Sequence, residues 1–183
     1  MQSFAAQLGI APLTYTFKVE ENDTLDHQIV KAVQSESCNY LQAHPTNRGG
    51  GQHGYTQILA GPNIALYNEL TGTAPAFDVP THPGAAPHIP HLNPTQHQIN
   101  EANRQFHFNL DEHRYYKRLQ YECKTALVKS IHESFHCDPK HPVRGFAGVE
   151  IHHIYAHLLK HYGTPTREQL EANKEEYQTP HTI

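Results

Sequence analysis

The sequence predicts an all-α fold, a helical bundle with an extended N-terminal segment and a Pro-rich linker. Three observations carry this prediction. Val149, Ile151, Ile154, Tyr155, Leu158, Leu159 and Tyr162 recur at three- and four-residue steps, the period of one wide apolar helix face. Leu119, Cys123, Ala126, Leu127 and Ile131 repeat the pattern earlier in the chain. Thr95 with Gln98, and Thr166 with Gln169, are capping-box pairs that open helices.

In chain order, the first unit covers residues 1–22. Leu13-Thr14-Tyr15-Thr16-Phe17-Lys18-Val19 alternates apolar and polar like a strand, so this unit is expected to be extended. Residues 23–70 form an N-terminal helical region. Asp23 or Thr24 can cap a helix carrying Leu25, Ile29, Ala32 and Val33, which ends near Leu41. Gly49-Gly50-Gly51 reads as a flexible break. Two short helical pieces follow, Tyr55 to Leu59 and Pro62 to Leu70, separated by Gly61, with Pro62 suited to a first helical turn.

Residues 71–94 carry Pro75, Pro80, Pro83, Pro87, Pro90 and Pro94 without helical period, and read as an extended linker. Residues 95–183 form the C-terminal bundle, whose short connections suit antiparallel neighbours. Ile99, Ala102 and Phe106 share one face; a break is expected over Asn109 to His113, where the period weakens. The following helix should run to Cys137-Asp138-Pro139, because the residue before proline is driven out of helical geometry. Lys140 to Ala147 is a loop. The last periodic helix stops at Tyr162-Gly163, where glycine can take positive φ, and a capped helix with Leu170 and Tyr177 follows.

Composition narrows the function. The 183 residues hold 18 Asp and Glu against 14 Lys and Arg, a net charge of −4 that disfavours strong nonspecific nucleic-acid binding. The densest basic cluster, Arg114, Lys117, Arg118, Lys124 and Lys129, reads as a solvated helix face before an RNA surface. Cys38, Cys123 and Cys137 are widely spaced, without a Cys-x-x-Cys pair, and fit reduced thiols in the cytoplasm. No apolar run approaches the roughly 20 residues that span a bilayer, and Met1 to Ile10 lacks the pattern of a secretory signal. No membrane partner is expected.

Templates for catalysis are mostly missing. Gly49-Gly50-Gly51 lacks the Lys-Ser or Lys-Thr of a phosphate loop, and no Gly-x-Ser-x-Gly elbow or kinase signature occurs. The 17 histidines are the exception. His132-Glu133-Ser134-Phe135-His136 satisfies the H-E-x-x-H pattern, in which two imidazoles hold zinc and the glutamate acts as base. His152, His153 or His157 could supply a third ligand. His153, His157 and His161 are spaced to line one helix face. So many histidines make a short match by chance common, and exposed imidazoles on polar helix faces are the simpler reading. No catalytic, cofactor or metal residue is therefore assigned, and no nucleic-acid contact can be placed.

One resemblance covers roughly Leu25 to Tyr177. His157-Leu158, three residues, Tyr162-Gly163, six residues, Leu170, two residues and Asn173 resemble the Gag-like capsid region of Copia-type LTR retrotransposons. Leu119 to Phe135 before Gly145-Phe146-Ala147 resembles the family's apolar helix and Gly-aromatic-Ala segment. Asn47-Arg48-Gly49-Gly50-Gly51 and His82-Pro83-Gly84-Ala85-Ala86-Pro87 resemble its Gly-rich and Pro-Gly stretches. The resemblance implies a capsid-type helical bundle, no enzymatic activity and no cofactor. It also implies homo-oligomerisation into a shell and packaging of element RNA. A Cys-Cys-His-Cys knuckle and a long basic tail, which would carry RNA binding, do not occur in the sequence. Tyr115, Tyr116 and Tyr155 are candidate interface anchors, or else core residues. Two other readings compete: a His-rich metal module or zinc hydrolase using His132-Glu133-x-x-His136, and a helical adaptor that docks a partner through its Pro-rich segment.

Overall fold

The computed structural model describes residues 10–72, 77–87, 89, 92–165, 167 and 170–171. The described chain is mostly helical. Helix α1 spans His27–Gln42, α2 Gln57–Ala60, α3 Ile64–Thr71, α4 Gln96–Ser130 and α5 Ile151–Tyr162, with 3-10 turns at Gly51–Thr56 and Glu133–Phe135. Among the described residues, β-pairing is confined to isolated bridges, Val19 with Ile131, Gly49 with Phe77 and His141 with Gly145.

The alternating N-terminal segment is extended, but it packs on helices instead of joining a sheet. Tyr15 and Val19 are buried, whereas Thr14, Thr16 and Lys18 are exposed. Side-chain bonds stitch the segment to α1: Tyr15 pairs its hydroxyl with Ser37 Oγ at 2.6 Å, and Tyr40 donates to the Ala11 carbonyl at 2.8 Å. Glu36 accepts from the Thr16 amide at 3.0 Å. Helix α1 starts later than Asp23 or Thr24 suggests. Asp26 is the cap, accepting from the amides of Gln28 and Ile29 at 3.0 Å each, while Asp23 closes a turn on the Glu20 amide at 2.7 Å.

The glycine run is a built turn. Gly49, Gly50 and Gly51 all have positive φ and lead into the 3-10 turn. A Cβ on Gly50 would sit 2.6 Å from both the Gly54 Cα and the Tyr67 hydroxyl, so glycine is demanded there by space as well as by φ. Asn63, accepting from the Leu66 amide at 3.0 Å, caps α3, which leaves Pro62 outside the helix.

Helix α4 runs unbroken for 35 residues, with no interruption over Asn109 to His113. The apolar pattern weakens there because the apolar face changes, while the backbone continues. Arg48 holds this stretch from the glycine turn, donating to Asn109 Oδ1 at 3.2 Å and pairing with Glu112 at 3.5 Å. The helix also ends earlier than Cys137-Asp138-Pro139 suggests. Ile131 turns extended so that the chain can pair with the N-terminal segment, Val19 donating to the Ser130 carbonyl at 2.7 Å and His132 donating to the Val19 carbonyl at 2.8 Å.

Residues from the extended segment, α1, the Gly51–Ala60 stretch, α4 and α5 share one apolar core. Helix α5 is its centre, packing on α1, α2 and α4 with Ile151, Ile154, Tyr155 and Leu158 fully buried. Each such side chain contributes about 1.5–3 kcal/mol by leaving water. Phe77 opens the Pro-rich segment by packing on Tyr55 and Tyr116, with ring centroids 5.5 and 6.3 Å apart, and Asp78 bonds Arg48 through backbone and side chain. Gly163 ends α5 with φ of −76°, so the predicted left-handed stop is not used; its amide still bonds the Leu159 carbonyl at 3.0 Å. Leu170 is helical and exposed, whereas Thr166, Gln169, Asn173 and Tyr177 lie outside the described residues.

Candidate functional site

The residues of the H-E-x-x-H pattern do not share a helix. His132 precedes the 3-10 turn and accepts the Ser134 amide at its Nδ1, while His136 lies beyond the turn with its ring fully buried. The His136 Nε2 bonds the Ile131 carbonyl at 2.8 Å, and burial pushes its pKa down. Glu133 faces outward to Lys140 at 2.5 Å, and that hydrogen bond holds its carboxyl below the ordinary range. The two imidazoles of a zincin approach one ion from one helical face. Here one ring caps a turn and the other enters the core.

That turn nevertheless creates a different juxtaposition. The chain leaving His136 passes over the end of α5, and Asp138 comes to lie beside His157 and His161. Their candidate ligand atoms all fall within 4.8 Å of one another. His157 Nδ1 is 3.7 Å from Asp138 Oδ2, and the His157 and His161 ring centroids are 4.4 Å apart. The expectation that His153, His157 and His161 all face solvent holds for His153 and His161 only. The His157 side chain is just 15% exposed, because Asp138 and its loop lie over it.

Two aromatic contacts fix that loop. Phe135 meets Tyr162 edge-on at 6.0 Å, and His136 meets Phe146 edge-on at 5.0 Å. The turn is closed by the Lys140 amide on the Cys137 carbonyl at 2.8 Å. The spacing of His157 and His161 was legible in the sequence. The approach of Asp138 was not, since it depends on α4 stopping at Ser130.

At the other end of α5, the His152 and His153 rings meet at a tilt with centroids 4.0 Å apart, and His152 Nδ1 lies 3.4 Å from Glu150. The His152 ring sits against the backbone of Gly61, whose φ is +58° and whose place no Cβ could share. Burial, and next the neighbouring His153, lower the His152 pKa.

Four of the five basic residues of the α4 cluster are matched internally. Arg114 pairs with Asp111 at 3.5 Å, Lys117 with Glu150 at 3.0 Å and Arg118 with Glu122. Lys124 donates to the carbonyls of Phe146 and Val149 at 3.1 and 3.0 Å. Beside it a groove of about 310 Å³ runs along Tyr121, Lys124, Thr125, Val128, Phe146 and Ala147. Of the candidate interface tyrosines, Tyr116 and Tyr155 are core residues, and Tyr115 is half-buried with its hydroxyl on His44 Nδ1 at 2.7 Å.

Among the described residues, no helix is long and apolar enough to cross a membrane. No protein-family model, no curated protein and no solved structure matches the chain.

Proposed function

We propose that this chain is a Gag-like structural protein of the Copia retrotransposon type, a capsid-type bundle that self-assembles in the cytoplasm and helps package element RNA. It acts without catalysis or a cofactor. The observation that carries the reading is the ordered series in the sequence: an apolar helix, Gly145-Phe146-Ala147, and a helix ending in His157-Leu158 and Tyr162-Gly163. The fold supports it by making this series one packed unit, with α4 and α5 flanking the Gly-Phe-Ala loop.

The first half of α4 supplies the surface for self-association. Ile99, Ala102, Phe106 and Leu110 are only partly covered and lie outside the apolar core. Their three- and four-residue steps form a helical seam, flanked by the neutral polar side chains of Gln98, Asn103 and Asn109, while Glu101, Arg104 and Asp111 lie on the opposite face. An apolar seam bordered by neutral polar residues sets no charge repulsion against a second copy of the same helix. Many weak contacts of this kind make a lattice cooperative. Electron microscopy of the purified, tag-free chain, with RNA content measured in the same sample, tests the reading. Regular particles carrying RNA are expected, whereas a monomer without particles across concentration and salt contradicts it.

A further inference from the structure

We propose that Asp138, His157 and His161 form a binding site for one divalent transition-metal ion, with Zn²⁺ the best chemical fit. The site is independent of the assembly proposed above. Two imidazoles and one carboxylate are the donors that borderline cations select, whereas Mg²⁺ and Ca²⁺ seek shells of oxygen. Ligand atoms about 2 Å from a tetrahedral ion lie roughly 3.3 Å apart, so the 4.8 Å spread has to close by at most about 1.5 Å.

The backbone already provides the frame. His157 and His161 stand one turn apart on α5, where an i, i+4 pair presents two rings to the same point. Asp138 comes from the opposite side, on a loop pinned by Phe135 against Tyr162 and by His136 against Phe146. The electrostatics favour a cation. The pair lies in the C-terminal half of α5, where the helix dipole is negative, and Asp138 adds a full negative charge. Without an ion, two mutually tilted imidazoles and a carboxylate make one modest polar contact, His157 to Asp138 at 3.7 Å. With an ion, all three become ligands, and the fourth position is left for water. The ion then ties the 131–140 loop to the end of α5, so its binding stabilises the native state by mass action.

The test is a zinc titration of the tag-free chain against a chromophoric chelator, repeated with Co²⁺ to read coordination from its visible absorption. About one tight Zn²⁺ per chain is expected, with a tetrahedral-type cobalt spectrum and a raised melting temperature. His161→Ala and Asp138→Asn change exposed side chains and should leave the far-ultraviolet circular dichroism intact. Each is expected to weaken zinc binding at least about tenfold and to remove the thermal shift. The controls His132→Ala and His153→Ala should bind as the unaltered chain does. Undiminished binding in the Asp138 and His161 variants overturns the proposal, and so does an equal loss in the two controls.

Discussion

The two halves of α4 are one continuous helix held up by different physics. From Tyr116 to Ser130 the helix is part of the core, with Tyr116, Leu119, Cys123, Ala126 and Leu127 buried against other segments. From Gln96 to Leu110 no residue is buried, and beyond the Arg48 contacts to Phe108 and Asn109 support comes from the helix itself. The Thr95–Gln98 capping box closes its start, and pairs such as Glu101 with Arg104 and Gln105 with Asn109 line its surface. A helix formed by packing is as stable as the protein; one formed by caps and surface pairs is marginal unless something else covers it. The first half is therefore the part of the molecule that gains most from a partner.

The sharpest way to break this contrast is to truncate one apolar side chain in each half. Leu119→Ala is expected to cost about 2–5 kcal/mol of stability, because it leaves a cavity in the core. Phe106→Ala should cost under about 1 kcal/mol. Urea unfolding of both variants reads the difference directly, and similar losses would place Phe106 in the core.

Acid should act on the packed body before the projecting half. Burial holds the His44 and His152 pKa values below the ordinary imidazole value. As pH falls through about 6.5, the unfolded chain takes up these protons while the folded chain resists them. Stability is therefore lost from that point down to the depressed folded values, and it is independent of these rings above it. Urea midpoints at pH 7.5 and 5.5 should show the drop, with His152→Gln making it shallower.

Smaller still is the effect expected from Thr95→Ala, which removes the cap of the first half. About 1 kcal/mol of local helix stability should be lost, read as roughly fivefold faster amide exchange in the first turns of α4. Global unfolding should not move. If it does, the first half is coupled to the core more tightly than its exposure implies.

The helical class and most helix locations were legible in the sequence, because the apolar period and the Thr95–Gln98 box are local signals. Cys123 as a small buried hydrophobe rested on the same periodicity. What local signals could not show were consequences of contacts distant in sequence. Ile131 leaves the helix because Val19 is there to pair with it, and no periodicity reports that. The weakened pattern at Asn109–His113 looked like a break, yet it marks where α4 passes from a self-supported face to a packed one. For the histidines, i, i+4 spacing identified His157 and His161 as a pair. Asp138 joins them only through the early end of α4, and His136 turns inward for the same reason.

Sedimentation velocity tests self-association through the partly covered seam of α4 most directly. The unaltered chain is expected to sediment increasingly fast as concentration rises. Phe106→Asp should remain a monomer at every concentration while keeping the melting temperature of the parent to within a few degrees. Identical sedimentation of the two proteins, whether both assemble or both stay monomeric, would contradict the account.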